Sequence, residues 1–235
     1  MVETKYSTGV TRGQAGATWS AFSAMGAGRE RNADAFAVKE VGSVSAFAIG
    51  DGVGSLPASP LVSTAVVEAA VNALTSTGDH SQFATNLLAE INIAASAALE
   101  RSEAKGASTI ACIRIDSDSV WISTAGDSGV LSVESDGTAT MLTEPDHVPN
   151  QPNILLAWID GDVEVVPHVV VLDHMPFRLC LATDGVTGAL DLAEMFRILS
   201  TSSLADSAKA MVVAAQAAGA QDDVTVIVIG QERSP

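Results

Sequence analysis

Residues 107–143 read ASTIACIRIDSDSVWISTAGDSGVLSVESDGTATMLT, and this stretch decides the fold. Apolar and polar residues alternate through it, and a period of two is typical of β-strands that bury one face. Turn-forming Asp, Gly and Ser residues separate the alternating segments. The predicted strands are 109–115, 119–124, 130–134 and 138–143. Because each connection is short, we expect these strands to form an antiparallel meander.

The segments before this stretch predict two strands followed by two helices. Short runs rich in Val, Phe and Ala at 34–38 and 44–49 favour strands. A stretch of Ala, Val and Leu follows Pro60 and ends at Leu74, and apolar residues recur at helical spacing over 81–101. We expect two consecutive helices that pack as an antiparallel hairpin.

The segments after this stretch add further strands and two capped helices. The strand-like runs are 154–159, 163–172, 177–183 and 224–229. Asp191 and Ser203 each stand three places before an acidic residue, which is the spacing of a capping box at a helix N-terminus. We expect one helix to begin near each of these two residues.

These patterns together predict an α+β fold. The best arrangement is a four-layer sandwich, in which two central antiparallel sheets are flanked by helices on both outer faces. A chain of 235 residues with 47% hydrophobic content can bury a full core, so we expect residues 1–235 to form a single domain. The polar segment 1–15, rich in Gly and Thr, is expected to be a loose N-terminal segment.

The composition excludes some partners and locations. With 12 basic and 28 acidic residues the net charge is −16, and no Lys/Arg cluster is present to bind a nucleic acid. The N-terminus lacks the apolar core of a signal peptide, and no run reaches the roughly 18 apolar residues of a membrane span. Cys112 and Cys180 lie in apolar runs, as buried thiols do in a reducing compartment. We expect a cytoplasmic location and no membrane insertion.

Several aspartates share one context, because each lies where an apolar strand ends beside Gly or another small residue. They are Asp51, Asp127, Asp184 and the pair Asp222 and Asp223. A single Asp-Gly pair is usually only a turn. Carboxylates at several strand ends can point into one cleft, and Mg²⁺ and Mn²⁺ prefer such oxygen ligands. The pattern favours a site for divalent cations.

Seven short motifs follow one another between residues 29 and 229. They are Arg29-Glu30-Arg31-Asn32-Ala33-Asp34, Asp51-Gly52-Val53-Gly54-Ser55, Gly106-Ala107-Ser108-Thr109, Gly126-Asp127-Ser128-Gly129, Thr143-Glu144-Pro145-Asp146-His147, Thr183-Asp184-Gly185 and Asp222-Asp223-Val224-Thr225. The series resembles the motifs of the 2C-type, metal-dependent serine/threonine protein phosphatases, in the family's order. The fifth motif has one residue more than the family's Thr-x-Asp-His.

The resemblance implies that the chain hydrolyses phosphoserine and phosphothreonine in proteins with a hydroxide held between two metal ions, Mn²⁺ or Mg²⁺. By position, Asp51 is expected to bridge the two ions, while Asp184 and Asp222 complete the first. The Gly52 carbonyl is expected to bind the second ion. Asp127, with Asp184, matches the place where some members hold a third, weaker ion.

The resemblance also implies catalytic residues and departures from the family. Arg29 is expected to hold the phosphoryl oxygens in a bidentate contact that Lys cannot imitate. Ala33 stands where the family has a carboxylate that supports the second ion, so either the site of that ion is weaker or Asp34 serves the ion through water. Val53 replaces the histidine of animal members and is hydrophobic, as in bacterial members. The interval 147–154 is far shorter than usual, so the flap beside the active site is expected to be short or absent.

Two other functions compete with this interpretation. The segment 126–129 is also similar to the nucleophile loop of chymotrypsin-like proteases, with His80, Asp116 and Ser128 as a formal triad, but the rest of that signature is absent. The stronger alternative is a phosphatase-like fold that binds phosphoproteins without turnover, which Ala33 favours. In either phosphatase-like case the expected partners are phosphorylated proteins, the substrates of a serine/threonine kinase.

Overall fold

A computed structural model describes residues 6–7, 18–76, 80–117, 119–149, 151–162 and 165–230, without the side chains of 6–7, 80–85, 152 and 153. Its strands are β1 (Tyr6–Ser7), β2 (Thr18–Ala24), β3 (Ala35–Val41), β4 (Val44–Gly50), β5 (Ile110–Ile115), β6 (Val120–Ala125), β7 (Gly129–Val133), β8 (Ala139–Met141), β9 (His147–Val148), β10 (Gln151–Leu155), β11 (His168–Leu172), β12 (Arg178–Ala182) and β13 (Val224–Gly230). Its helices are α1 (Ser59–Leu74), α2 (His80–Ser102), α3 (Asp184–Thr187), α4 (Leu192–Thr201) and α5 (Leu204–Ala217).

The strands build two antiparallel sheets that stack face to face. One sheet has the order β1-β2-β13-β12-β7-β8, the other has the order β11-β6-β5-β4-β3, and β9 and β10 form a separate hairpin. Helices α1 and α2 cover the outer face of the five-stranded sheet, while α4 and α5 cover that of the six-stranded sheet. The layers therefore run helix, sheet, sheet, helix, and the predicted α+β sandwich is confirmed.

Three apolar cores hold these layers together. Leu74 and Ile91 belong to the core between the helix pair and the five-stranded sheet. Phe47 and Ile229 belong to the core between the two sheets, and Met211 to the core beneath α4 and α5. All five side chains are fully buried. Strands between two cores bury both faces, which explains why β5 and β13 read as nearly continuous apolar runs.

The predicted meander is wrong at one point. Strands β5 and β6 form a hairpin in the five-stranded sheet, whereas β7 and β8 pair in the six-stranded sheet. The chain crosses between the sheets at residues 126–128, where Gly126 has a φ of +104° that few other residues adopt. A period of two predicts where the strands are, but it does not predict to which sheet each strand belongs. The passage of the chain from one sheet to the other was therefore not predictable. As a result Asp127 lies between the two sheets.

The sequence interpretation missed strand β2. Its residues TWSAFSA include serines, which weaken the apolar alternation. The hydroxyl of Ser20 donates to the Leu204 carbonyl at 2.6 Å, and Ser23 bonds to the Thr225 hydroxyl at 2.8 Å. Of the predicted loose segment 1–15, only Tyr6–Ser7 lies within the described residues, and it pairs with β2.

The helix predictions are confirmed. Asp191 accepts a hydrogen bond from the Glu194 N–H at 2.8 Å, and Ser203 accepts one from the Asp206 N–H at 3.2 Å, so both predicted caps exist.

None of the helices in the described part of the chain combines the length and the hydropathy needed to span a bilayer.

The connection between β8 and β11 runs from residue 142 to residue 167 and includes the interval 147–154, where the flap was predicted to be short or absent. The hairpin of β9 and β10 occupies its first part, and Ile159 then makes an isolated bridge to Ser108. The predicted strand 163–172 is reduced to β11, which begins at His168, and its residues 163 and 164 lie outside the described ranges. A small hairpin therefore stands where the family's flap was expected to be short or absent.

The strand register brings the candidate acids to one end of the sandwich. Ala182 at the end of β12 pairs with Val226 near the start of β13 and with Gly129 at the start of β7. Ile110 at the start of β5 pairs with Ala125 at the end of β6. Since β4 ends beside the start of β5, the loops that follow or precede these strands meet at a single edge.

Candidate metal centre

Three carboxylates converge at this edge of the sandwich. Asp51 follows β4, Asp127 lies in the crossing between the sheets, and Asp184 follows β12. One oxygen from each lies within 4.8 Å of the others, and all three side chains are partly buried. The structure therefore brings together three of the residues predicted to bind metal.

The electrostatics of this cluster are unfavourable for three anions. Burial, followed by the charges of Asp34 and Asp184, raises the pKa of Asp51 well above its usual range. Burial and the charge of Asp184 raise the pKa of Asp127 to about 7. The pKa of Asp184 is also raised, mainly by burial. A divalent cation among these groups would replace repulsion by attraction.

Several carboxylate oxygens at the site lack a hydrogen bond. The Oδ1 atoms of Asp34, Asp127 and Asp184 are buried, and none has a partner among the described residues. Buried polar atoms are nearly always paired, so three unpaired carboxylate oxygens in one region need an explanation. Hard divalent cations take carboxylate oxygens as ligands, and these residues therefore fit Mg²⁺ or Mn²⁺.

The main chain at Asp51 is fixed by hydroxyl groups. The Asp51 N–H donates to the Thr109 hydroxyl oxygen at 3.0 Å, and the Thr109 N–H donates to the Asp51 carbonyl at 2.8 Å. The hydroxyls of Thr109 and Ser128 bond to each other at 2.8 Å. Thr109 and Ser128 thus hold the segments that carry Asp51 and Asp127. The motifs contain both residues, but nothing in the sequence assigned them this role.

Gly52 is required by a close approach of two chain segments. A Cβ atom at this position would lie 2.5 Å from the Ala33 carbonyl oxygen, which is closer than any real contact. The same carbonyl accepts a hydrogen bond from the Ser63 hydroxyl at 2.6 Å. The predicted metal-binding role of the Gly52 carbonyl stays a prediction, but its segment is packed against the segment of Ala33.

Arg29 and Asp222 form an ion pair with each other. The Arg29 guanidinium also lies against Gly54, and Asp222 lines the same cleft as the three clustered carboxylates. Asp222 does not join the group of three, because its Oδ1 accepts from Arg29 and from the Asp223 N–H at 2.8 Å. The predicted ligand and the predicted phosphate clamp are thus neighbours that satisfy each other.

Asp34 lies beneath the cluster rather than in the open cleft. It is buried, and the Thr183 hydroxyl donates to its Oδ2 at 3.0 Å. Burial is the main cause that raises its pKa to about 8, with further contributions from Asp223 and Asp184. This position suits a group that acts on the centre through an intervening water and does not suit direct contact with a protein substrate.

Asp223 has a structural role that the sequence analysis did not assign. Its carboxylate accepts hydrogen bonds from the Gly26 N–H at 2.8 Å and from the Ala33 N–H at 2.7 Å, and it is almost fully buried. It therefore anchors the loop that carries Arg29 and Asp34. Two adjacent aspartates at the start of a strand were the only signal in the sequence.

The cleft above the carboxylates is open and small. It has a volume of about 220 Å³ and is lined by Asp51, Val53, Gly54, Thr109, Asp127, Leu155, Asp184 and Asp222. A second cleft of about 450 Å³ adjoins it through Asp127 and Asp184 and extends to His147. Leu155 comes from the β9–β10 hairpin, so this short hairpin forms one wall of the centre.

The protease alternative is not supported by the geometry. Ser128 is buried and bonded to Thr109, so its hydroxyl is not presented to a substrate. Asp116 lies in the turn before β6, whereas Ser128 follows the end of β6. The strand has six residues, so its two ends lie roughly 20 Å apart. The side chain of His80 lies outside the described residues.

Comparisons with known proteins agree with this geometry. A sequence model of the family described as protein phosphatase 2C matches residues 27–224. The structure of the S. agalactiae serine/threonine phosphatase is similar, with 21% identity, a TM-score of 0.81 and coverage of 92% of this chain and 100% of that chain. No curated protein sequence matches significantly.

Two further solved structures share the fold. Serine/threonine phosphatase Stp1 from Staphylococcus aureus has 19% identity and a TM-score of 0.79, with 99% of this chain and 96% of that chain covered. The catalytic domain of PstP in complex with two manganese ions has 23% identity and a TM-score of 0.72, with coverage of 91% and 97%. The family match spans most of the chain, and the chain therefore belongs to the protein phosphatase 2C family of metal-dependent serine/threonine protein phosphatases.

Proposed function

We propose that this chain turns over phosphoserine and phosphothreonine in proteins with the help of two divalent cations, Mn²⁺ or Mg²⁺, held in the acidic cleft. One observation carries the proposal: oxygens of Asp51, Asp127 and Asp184 converge within 4.8 Å. The buried Oδ1 atoms of Asp127 and Asp184 have no hydrogen-bond partner in the described part of the chain. The similar PstP domain, in complex with two manganese ions, supports the number of ions.

The ligand roles follow from the positions of the residues in the cleft and in the family's motifs. We assign Asp51 to bridge the ions, Asp184 and Asp222 to complete the first, and the Gly52 carbonyl to bind the second. Asp127, with Asp184, is assigned to a weaker third ion. Bound cations of this kind lower the pKa of a coordinated water towards neutrality and offset the charge of the phosphate.

Arg29 is the residue that would bind the phosphoryl group. In the structure its guanidinium pairs with Asp222, so neither side chain is left without a counter-charge. With cations bound, Asp222 would be one of the residues that hold them, and the phosphoryl group would be the counter-charge of Arg29. Its planar fork could then donate two hydrogen bonds to phosphoryl oxygens and orient the phosphorus atom.

The proton that the departing serine or threonine oxygen requires has no evident side-chain donor at position 53. Val53 lines the cleft and cannot donate a proton. We therefore assign this step to water in the open cleft. Asp34 is buried beneath the centre, and we assign it the indirect role of holding a water at the second cation.

A binding module without turnover is the second candidate, and one observation favours it. Ala33 places a buried methyl group where the family has a carboxylate, and its backbone lies directly beside Gly52. The convergence of three carboxylates argues the other way, since acids that repel one another serve little purpose without a cation. We therefore favour catalysis.

The partners and the location are also proposals. The expected substrates are proteins phosphorylated by a serine/threonine kinase. A cytoplasmic location is supported by Cys112 and Cys180, which are buried and unpaired with each other, and burial raises the pKa of each thiol to about 12.

The first prediction concerns turnover. With Mn²⁺, the protein is expected to hydrolyse p-nitrophenyl phosphate and a phosphothreonine peptide, and EDTA is expected to abolish both activities. Asp184→Asn should lower kcat at least about a hundredfold, because a neutral amide holds a cation poorly. Asp173→Asn, at an exposed aspartate in the loop between β11 and β12, is the matched control. Well-folded protein that is inactive with every metal, but binds phosphoproteins, would favour the binding module.

The second prediction concerns Arg29. Arg29→Lys keeps the charge but removes the bidentate contact, which contributes about 1.5–3 kcal/mol for hydrogen bonds to charged groups. We therefore expect kcat/KM for the phosphopeptide to fall about 10–100-fold. Arg31→Lys makes the same substitution at an exposed residue nearby and should leave kcat/KM for the phosphopeptide almost unchanged. Equal effects of the two substitutions would contradict the assignment of Arg29.

The third prediction concerns Ala33. Ala33→Glu restores a carboxylate beside Gly52 and is expected to lower the Mn²⁺ concentration for half-maximal activity about tenfold, the scale of an outer-shell ligand. Ala33→Asp provides a smaller variant if the longer side chain does not fit. A folded variant with an unchanged metal requirement would show that this position does not limit metal binding.

The fourth prediction concerns the stability of the metal-free protein. In the folded state the pKa of Asp34 is about 8 and that of Asp127 about 7, both above the ordinary value of 3.8. The folded state then binds more protons than the unfolded state, so the free energy of unfolding falls as pH rises from about 4 to 8. We expect the melting temperature in EDTA to drop by roughly 5–10 °C over this range.

Asp34→Asn is the control for this prediction, because it removes one of the groups with a raised pKa and should reduce the pH dependence. Added Mn²⁺ should raise the melting temperature most at pH 8. A melting temperature that rises between pH 5 and 8 in EDTA would contradict the electrostatic interpretation of the cluster.

A further inference from the structure

The turn that carries Asp127 is held from two sides. On one side, Thr109 bonds to Ser128, and a Cβ at Gly126 would lie 2.6 Å from the Thr109 side chain, so the turn is tight against β5. On the other side, the turn meets Asp146, which lies in the loop before β9. Asp127 and Asp184 repel each other when both are ionised, so the contacts that hold this turn bear on the position of Asp127.

Asp146 makes contacts with all of its polar groups. Its N–H donates to the Gly126 carbonyl at 2.9 Å, and its Oδ2 accepts from the Gly126 N–H at 3.0 Å. Its carbonyl accepts from the Leu156 N–H at 2.8 Å. Leu156 follows Leu155, which lines the cleft, so Asp146 joins the Asp127 turn to the base of the β9–β10 hairpin.

His168 completes this arrangement. It is the first residue of β11, and its Nε2 lies 2.7 Å from Asp146 Oδ1. The Asp146 side chain is 17% exposed and that of His168 is 49% exposed, so the carboxylate is shielded while the imidazole forms its outer cover. The two carboxylate oxygens of Asp146 are thereby held in one orientation.

We propose that Asp146, oriented by His168, is a positioning residue that fixes the Asp127 carboxylate against the repulsion of Asp184. The inference rests on the proposed function only in that Asp127 serves a divalent cation. Through Leu156, the same residue fixes the hairpin wall relative to the Asp127 turn. Asp146 thus supports a metal-binding residue without being a ligand itself. Residues of this kind contribute about 10–100-fold to metal affinity or activity.

The test measures Mn²⁺ binding by isothermal titration calorimetry, beside kcat and KM for p-nitrophenyl phosphate. Asp146→Ala is expected to weaken Mn²⁺ binding and lower kcat, each about 10–100-fold, while KM changes little. Asp146→Asn keeps an acceptor for the Gly126 N–H and should restore most of the affinity. His174→Ala removes a similar histidine–carboxylate pair, with Glu134, at the opposite end of β12 and is the matched control.

A double-mutant cycle separates positioning from general structural damage. If Asp146 acts through Asp127, Asp146→Ala should have no further effect on Mn²⁺ affinity in an Asp127→Ala background. The same loss in both backgrounds, or no loss in either, would overturn the inference. If Asp146→Ala does not fold, the Mn²⁺ affinities of His168→Ala and His168→Gln are compared instead, each with Asp127 present and in the Asp127→Ala background.

These outcomes are distinct from those that test the proposed function. If the wild-type protein binds Mn²⁺ but does not hydrolyse the phosphopeptide, catalysis is refuted. The double-mutant cycle of Mn²⁺ affinities then still tests the role of Asp146. A wild-type protein that hydrolyses the peptide and whose Mn²⁺ affinity is insensitive to Asp146→Ala refutes the positioning role alone.

Discussion

Carboxylates that are held within a few ångströms of one another in a partly buried site repel, unless a cation or a proton lies between them. Asp51, Asp127 and Asp184 are forced into this arrangement by the ends of strands from both sheets. The three apolar cores oppose the repulsion, because each strand that leads to an acid is anchored by fully buried residues. The fold therefore depends on apolar burial that is strong enough to offset the repulsion between these carboxylates.

Several of the supporting hydrogen bonds at the centre act on the main chain. Thr109 bonds to the backbone of Asp51, and Asp223 bonds to the backbone of Gly26 and Ala33. These bonds hold the segments in place, while the Oδ1 atoms of Asp127 and Asp184 make no hydrogen bond within the described residues. The adjacent Asp222 and Asp223 illustrate the division, since one lines the cleft and the other is buried in the scaffold.

Much of this arrangement could be predicted from sequence, because it follows from local pattern. Alternation gave most strands, helical spacing gave α1 and α2, and the capping boxes gave the starts of α4 and α5. Aspartates at strand ends indicated the site, since antiparallel strands return to the same edge.

Other features depend on contacts that local pattern does not encode. Strand β2 was missed because its serines find partners 184 and 202 residues away, in Leu204 and Thr225. The crossing at 126–128 was missed because a hairpin and a sheet change look alike in sequence. The pairing of Arg29 with Asp222 depends on loops separated by 193 residues. These three misses concern long-range partners, whereas the predicted strand 163–172, of which only His168–Leu172 forms a strand, is a local misjudgement of a strand boundary.

The order of strands in the six-stranded sheet has a consequence for biosynthesis. Its second and third strands are β2 and β13, which lie 200 residues apart in the chain but pair along seven residues. A nascent chain lacks β13, and with it Asp222 and Asp223, until residue 230 has left the ribosome. The first sheet to be complete is therefore the five-stranded one, and closure of the other is a late, non-local step of the kind that slows folding. Asp222, and the Asp223 that anchors the loop of Arg29, join the centre only with that step, so incomplete chains carry an incomplete site.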